Sequence, residues 1–347
     1  MKNIRKFLCL ALALIMVLSL AACGSKSDDA QDNNDDAQQT AGQPIEGGTF
    51  VYAIEEPITS LNWYNNNSTD LGKQVFSNLY DPMWKNNADG SLDYRLAKNV
   101  DISEDGTTYT LTLRDDIYWS DGEKITTDDI VFTLDTLVEP EVAPSTASGY
   151  KVDGEFCSYE KVSDTEIVFT IGRASNLFKK ALGALYVLPA HCFEGVAATE
   201  VLTCEQNDTI ATSGAFVVDS FNVGEKLVCV KNDKYYRTPA HIDGFEVRCV
   251  SDAGTQEIAF QNGELSIFTI SNAETLANYK DNENYQIVSY PDGRITFLQV
   301  NPNSEAMSTM EAREAVISAL NLDELVYGTY GDEALCRTAT SILSTVS

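Results

Sequence analysis

Residues 94–138 read YRLAKNVDISEDGTTYTLTLRDDIYWSDGEKITTDDIVFTLDTLV, and this stretch decides the fold. Within it, residues 107–114 alternate apolar side chains with threonines, which is the pattern of a strand with one face toward a core. Asp105-Gly106, immediately before, is a hairpin-type turn. The stretch therefore predicts a half-buried strand that is entered from a tight turn.

A helix is predicted after a second turn at Asp121-Gly122. Thr126 or Thr127 can cap it, and Asp128 and Asp129 fall in its first turn, where the helix dipole favours negative charge. The two acids could also be read as a paired-carboxylate acid–base site, but capping accounts for them without chemistry. The predicted core face of this helix is Ile130, Val131, Leu134, Leu137 and Val138.

Outside this stretch, too, the sequence contains both strand-like and helix-like patterns of apolar residues. A buried first strand is predicted at 48–54, a helix at 69–80 and successive strands over 214–250. A helix at 252–262 followed at once by a strand, GELSIFTI, would give a strand–helix–strand order with a parallel crossover, and hence an α/β lobe. A last helix is predicted at 310–320.

The start of the chain has the features of a secretory signal peptide. Lys2, Arg5 and Lys6 precede an apolar run at 7–20, which is shorter than the roughly 20 residues that a membrane-spanning helix needs. Small residues then lead to Cys23, whose thiol can carry a lipid. We predict a lipoprotein signal peptide at 1–23 with lipid attachment at Cys23. The alternative is an ordinary export signal that contains a cysteine.

Residues 24–46 are acidic, amide-rich and almost free of large apolar side chains, so they cannot bury enough surface to offset the entropy of ordering. We predict a disordered tether that holds its domain about 25 to 30 Å from the anchor. Without the signal peptide the chain keeps 21 of its 24 basic side chains against 52 acidic ones, a net charge of −31. This balance makes nucleic acid an improbable partner.

Six cysteines follow the tether, and outside the cytoplasm they could pair in 15 ways. Cys192 and Cys204 flank a loop-like stretch and are our choice for a bridge, whereas Cys229 and Cys249 lie in alternating strands and can equally be isolated buried thiols. No cysteine spacing suggests a zinc site, so no metal ligand is predicted. The full set is Cys157, Cys192, Cys204, Cys229, Cys249 and Cys336.

Several segments together resemble the extracytoplasmic solute-binding proteins of the oligopeptide, dipeptide and nickel ABC transporters, family 5. The most specific run is the quoted one, through YRLA, Asp105-Gly106, Trp119, Asp121-Gly122 and TDDIVF. Asn62-Trp63 stands where that family usually has Asp-Pro, and Ser266 replaces a usual acid. The other similar segments are 47–50, 59–62, 213–216, 231–236, 263–267, 300–301 and 313–321.

The resemblance implies an α/β fold of the two-lobe periplasmic-binding-protein type (type II, large class). On it we expect a first lobe at 47–295, with an inserted subdomain at about 70–165. Residues 296–347 would be the hinge crossing and the start of a second lobe. Members of that family continue through the second lobe, so we expect the second lobe to be incomplete here, truncated at the C-terminus.

The predicted ligand-binding residues fall in two segments. The loop after the first strand can hold an extended peptide through backbone amides beside flat aromatic rings, although its rings could merely cover the lobe. The second segment is where the chain is expected to cross between lobes. The candidates are Ser60, Leu61, Asn62, Trp63 and Tyr64 in the first segment, and Thr296, Phe297, Leu298 and Gln299 in the second.

The resemblance further implies a monomer that captures peptides outside the cytoplasm and delivers them to a membrane permease and its ATPase, without a cofactor and without catalysis. A solute-sensing or adhesive surface lipoprotein is an alternative on the same fold. An exported hydrolase is a weaker one, since His191 and His241 are the only histidines and the sequence has no G-x-S-x-G, H-E-x-x-H, Walker or G-x-G-x-x-G motif.

Overall fold

The computed structural model describes residues 44–66, 70–87, 89–142, 145–290, 295–339 and 341. The predicted signal peptide with Cys23, and nearly all of the predicted tether, lie outside these residues. Within the described part of the chain, no helix is both long and apolar enough to cross a bilayer.

Strands and helices alternate irregularly along the chain. The strands are β1 Thr49–Ile54, β2 Trp84–Asn86, β3 Leu92–Tyr94, β4 Ala97–Ile102, β5 Thr108–Leu113, β6 Lys151–Val152, β7 Glu155–Phe156, β8 Ser158–Ser163, β9 Glu166–Thr170, β10 Phe216–Asn222, β11 Lys226–Lys231 and β12 Gly244–Cys249. The helices are α1 Trp63–Asn66, α2 Asp70–Phe76, α3 Thr127–Val138, α4 Asn176–Gly183, α5 Ala253–Gln261, α6 Ala273–Tyr279, α7 Met310–Ala319 and α8 Leu322–Tyr330.

The first of two four-stranded sheets has the order β1-β12-β11-β10. β1 runs parallel to β12, while β12, β11 and β10 are antiparallel neighbours, so strands at 48–54 and over 214–250 are confirmed. The predicted burial of the first strand is wrong, because only Ile54 of β1 is buried and Thr49 and Phe50 are exposed. The first residue of β12 is Gly244. A side chain does not fit there, because a Cβ would lie 2.2 Å from the carbonyl oxygen of Cys229. The absent side chain lets the two strands approach.

One strand prediction is wrong. Residues 263–270, which include GELSIFTI, form no strand. They run beside β1, where the amide of Ser266 donates to the carbonyl of Val51 at 2.6 Å and the amide of Val51 donates to Ser266 Oγ at 3.0 Å. A hydroxyl thus replaces the carbonyl that a ladder would require. The parallel crossover predicted between β12 and this segment is therefore absent from the described residues, and the parallel neighbour of β12 is β1 instead.

The second sheet is wholly antiparallel, with the order β4-β5-β9-β8. One of its two inner strands is β5, in which Tyr109, Leu111 and Leu113 are buried and the threonines between them are partly exposed. This is the alternation that the sequence predicts. Two short hairpins, β2-β3 and β6-β7, accompany the two sheets.

Helix α3 begins with a capping box. Thr126 Oγ1 accepts a hydrogen bond from the amide of Asp128 at 3.2 Å, and the amide of Thr126 donates to Asp129 Oδ2 at 2.9 Å. The second carboxylate oxygen of Asp129 accepts from the amide of Ala190 at 2.9 Å. Capping is therefore confirmed, and Asp129 also ties the helix to a distant loop. Asp128 lies at the surface, 2.7 Å from Lys161 Nζ.

A buried acid connects two of the segments that resemble the family, YRLA at 94–97 and residues 231–236. Asp81 is 3% exposed and accepts hydrogen bonds from Tyr235 at 2.7 Å and Tyr236 at 2.8 Å. Arg95 of the YRLA segment lies 3.8 Å from the same carboxylate and 2.6 Å from Asp93. A carboxylate buried away from water requires such partners. The network therefore joins residues more than 140 positions apart.

The predicted disulfide between Cys192 and Cys204 is wrong, because both thiols are free. Each thiol instead has a local polar contact: Cys204 Sγ donates to the carbonyl of Val201 at 3.4 Å, and Cys192 Sγ lies 3.5 Å from His191 Nε2. The other four cysteines of the folded part are also free.

Candidate functional site

The loop that follows β1 is built around a buried amide pair. Asn62 is fully buried, and its side-chain nitrogen donates to Asn207 Oδ1 at 2.8 Å. The amide of Leu61 donates to the carbonyl of Asn207 at 2.9 Å. Asn207 in turn donates to the carbonyls of Val201 and Cys204. A loop whose buried polar groups are paired in this way has a defined backbone conformation.

The two aromatic rings that follow this loop, at the start of α1, point into the protein. Trp63 and Tyr64 are each 7% exposed. Trp63 stacks on Tyr186 with ring centroids 3.5 Å apart, and Tyr64 donates its hydroxyl to the carbonyl of Tyr186 at 2.7 Å. Burial raises the pKa of Tyr64 well above its ordinary value, so this hydroxyl remains a donor. Both rings therefore have a packing role, whatever they contact in a complex.

Ser60 and Leu61 complete the first predicted segment and are buried too. Ser60 Oγ accepts from the amide of Asn62 at 3.1 Å and from the side chain of Asn65 at 2.9 Å. The carbonyl of Leu61 accepts from the Tyr80 hydroxyl at 2.9 Å. All five predicted residues of this segment are thus buried, with Ser60, Leu61 and Asn62 in the loop and Trp63 and Tyr64 at the start of α1.

The second predicted segment has the opposite character. Residues 295–300 belong to no helix or strand, and Thr296, Phe297, Leu298 and Gln299 are all exposed. Phe297 is 69% exposed and Leu298 is 66% exposed. The first segment is therefore buried and hydrogen-bonded within the protein, whereas the second is exposed and presents two large apolar side chains. The assignment of both to ligand binding stays a prediction.

Sequence reasoning missed a third group, which the fold assembles from distant residues. Asp121, His191 and Cys192 each offer one donor atom, and these three atoms lie within 4.8 Å of one another. His191 Nε2 is 2.7 Å from Asp121 Oδ2 and 3.5 Å from Cys192 Sγ. Asp121 is 70 positions from His191, so no spacing rule could detect the group. The adjacent His191-Cys192 pair was the available signal.

The electrostatics of this group follow from its neighbours. Burial opposes ionisation of Asp121, but hydrogen bonds from His191 and from the amide of Glu123 prevail and lower its pKa. Burial raises the pKa of the Cys192 thiol, an effect that the amide of Ala211 reduces and the carboxylates of Asp121 and Asp129 increase. The group thus combines an anionic oxygen with a neutral thiol in a field that favours cations.

Comparison with known proteins identifies the family. The sequence profile of the bacterial extracellular solute-binding proteins, family 5 (middle region), matches residues 92–345. The oligopeptide-binding protein AppA of Bacillus subtilis is 25% identical over 93% of this chain and 58% of its own length. The dipeptide-binding protein DppE of the same organism is 23% identical over 94% of this chain and 61% of its own.

Among solved structures, the ABC transporter substrate-binding protein CtaP of Listeria monocytogenes superposes with a TM-score of 0.76 at 26% identity, covering 86% of this chain and 60% of that one. This match confirms the predicted α/β fold of the periplasmic-binding-protein type. The chain spans about 60% of the length of these relatives. Family 5 proteins are transport binding proteins and not enzymes. The chain belongs to the bacterial extracellular solute-binding proteins of family 5.

Proposed function

We propose that this protein captures peptides outside the cytoplasm and delivers them to an ABC permease and its ATPase. The observation that carries the proposal is the family match over 92–345, together with relatives that are named for oligopeptide and dipeptide binding. In this function a peptide stabilises a closed form of the binding protein, and the permease recognises that form. The protein acts as a monomer without a cofactor.

The two predicted segments have different roles in peptide binding. The segment at 60–64 supplies a rigid frame, since its amides and rings are already engaged within the protein. The segment at 295–300 supplies an open surface, on which Phe297 and Leu298 offer apolar contact. A backbone outside helices and strands also leaves amides and carbonyls that can pair with an extended peptide. A rigid segment together with an exposed apolar one suits a ligand of variable sequence.

Attachment to the membrane through Cys23 completes the proposal. One lipid chain holds a protein only marginally, so stable anchoring requires two or more chains on this cysteine. The acidic tether then places the binding domain about 25 to 30 Å from the outer face of the cell membrane. In a cell with an outer membrane this is the periplasmic side.

Peptide binding is tested by isothermal titration of the purified full chain with an equimolar mixture of peptides two to nine residues long. We expect saturable binding that Phe297→Ala weakens about tenfold, with Tyr327→Ala as the matched control because Tyr327 is equally exposed, at 68%, in a different element. Equal affinities in the two variants would remove the open segment from the site. A natively folded chain that binds no peptide would contradict the function itself.

The anchor is tested by growing cells that express the chain with labelled palmitate. We expect incorporation that Cys23→Ser abolishes and Cys9→Ser leaves intact, since Cys9 lies inside the apolar run of the signal peptide. Label that persists in Cys23→Ser would exclude attachment at this residue.

A further inference from the structure

We propose that Asp121, His191 and Cys192 bind one divalent transition-metal ion of borderline softness, with Zn²⁺ as the reference ion. None of these residues belongs to the predicted peptide-binding segments. The three side chains present an oxygen, a nitrogen and a sulfur donor within 4.8 Å. Such mixed donor sets bind Zn²⁺ in proteins, and three protein ligands leave a fourth position for water or an external ligand.

Two of the three separations between the donor atoms can be compared with those around one shared ion. A tetrahedral Zn²⁺ with a Zn–S distance of about 2.3 Å and Zn–N and Zn–O distances of about 2.0 to 2.1 Å separates its donors by roughly 3.3 to 3.6 Å. Cys192 Sγ and His191 Nε2 are already 3.5 Å apart. His191 Nε2 and Asp121 Oδ2 are 2.7 Å apart, since they share a hydrogen bond. An ion that replaced this proton would widen that pair by roughly 0.6 Å.

The backbone on both sides of the site is held in place before any ion binds. Asp121 lies in a turn in which its own Oδ1 accepts from the amide of Glu123 at 3.1 Å, so that Oδ2 faces His191. His191 and Cys192 lie in the short 3₁₀ helix Ala190–Phe193. The amide of Ala190 donates to buried Asp129, which fastens this turn to α3. Ligands positioned by outer hydrogen bonds need little reorganisation on binding.

The chemistry of the donors selects the class of ion. A thiolate ligand disfavours Mg²⁺ and Ca²⁺, which prefer oxygen donors, and favours zinc-like metals. The side chains of His191 and Asp121 are 30% and 42% exposed, so an ion can reach them from solvent. On binding, the S–H bond of Cys192 breaks, the thiol becomes a thiolate and its proton passes to the buffer. The His191 ring then carries its own proton on Nδ1, so that Nε2 is free to bind the ion and one proton is released in all. Nothing is oxidised or reduced in this exchange.

The test is titration of the reduced full chain with Co²⁺, a spectroscopic substitute for Zn²⁺. A cysteine ligand to Co²⁺ produces a thiolate-to-metal charge-transfer band in the near ultraviolet, which oxygen and nitrogen donors alone do not produce. We expect this band to saturate at one equivalent, Zn²⁺ to displace it, and one proton to be released for each ion bound.

The variants localise the ion. Loss of an outer partner already weakens metal binding about 10- to 100-fold, so loss of a ligand in Cys192→Ser or His191→Gln should weaken it at least that much. Cys204→Ser is the matched control, since Cys204 is another half-buried free thiol outside the group. A native chain without the band overturns the proposal, as does a band that Cys192→Ser retains. If Cys192→Ser does not fold by circular dichroism, Asp121→Asn takes its place, and the native titration decides independently.

Discussion

Two regions of the chain differ in how their secondary structure is supported. From Ile54 to Val247, buried side chains of both sheets and of α3 and α4 form one continuous hydrophobic cluster. Beyond residue 300, α7 and α8 have caps and regular geometry but no buried residue. Their large apolar side chains face outward: Met310, Ile317, Leu322, Leu325 and Tyr327 are each more than 50% exposed.

Helix capping and the packing of an apolar face contribute separately to these helices. Thr309 and Asn321 cap α7 and α8 through the same side-chain-to-amide bonds that Thr126 makes at α3. Local signals alone therefore define where these helices begin. Stability, however, comes mainly from packing an apolar face, and short helices without it are marginal in water. An intermediate case is the aromatic cluster of Phe260, Phe268, Tyr279 and Tyr285, whose rings contact one another outside the main core.

The largest expected effect is a contrast between two identical substitutions. Leu134→Ala in α3 removes a fully buried side chain and should lower the free energy of unfolding by about 2 to 5 kcal/mol. Leu325→Ala in α8, at a position 52% exposed, should change it by less than about 0.5 kcal/mol. Urea unfolding followed by circular dichroism measures both. Equal losses would mean that α8 is packed as firmly as α3.

A second contrast concerns a first-turn acid in each region. Burial raises the pKa of Asp129, an effect that its bonds from Thr126 and Ala190 reduce. Stability linked to this group is therefore fully present below its unfolded pKa of about 3.9, and is lost as the pH rises through the raised folded pKa. The free energy of unfolding of the native chain should thus fall with rising pH relative to that of Asp129→Asn.

This difference is measured by urea unfolding at a series of values from about pH 3 to about pH 7. Glu311→Gln, which removes an exposed first-turn acid of α7, is the matched control for the substitution itself. A native chain that gains stability with pH relative to Asp129→Asn would show that its hydrogen bonds outweigh burial.

The smallest contrast concerns the caps themselves. Thr126→Ala should lower the global free energy of unfolding by about 1 kcal/mol, because α3 is coupled to the core. Thr309→Ala removes an equivalent bond to the amide of Ala312, yet it should leave global unfolding unchanged and accelerate amide hydrogen exchange within α7 only. Protection lost throughout the chain in Thr309→Ala would indicate that α7 is coupled to the remaining structure.

Much of the architecture could be read from the sequence because its determinants are short-range. The alternation of Tyr109, Leu111 and Leu113 places β5 and its buried face, and Thr126 with Asp129 places the start of α3. The family was also recognisable, since turn glycines and capping residues recur at set spacings in the quoted stretch. These features act over about four residues, so they do not depend on the rest of the fold.

Other features depended on partners that a linear reading cannot place. GELSIFTI has a strand-like pattern, yet β1 pairs with β12 instead. In the described part of the chain, Ser266 is the only residue of GELSIFTI that forms hydrogen bonds with β1. From the sequence, Trp63 could offer an exposed ring to a peptide, but in the structure it is buried and stacks on Tyr186. Cys192 looked like half of a disulfide, and the fold instead places it beside His191 and Asp121.

The sequence by itself determined the class of fold, the capped helix starts and the family, because hydrophobic period and capping chemistry are local properties. Only the tertiary structure decided which rings are buried, which strand pairs with β1 and which donors converge at His191. Those outcomes depend on contacts between residues separated by 70 to more than 190 positions, whose geometry is set when the sheets pack.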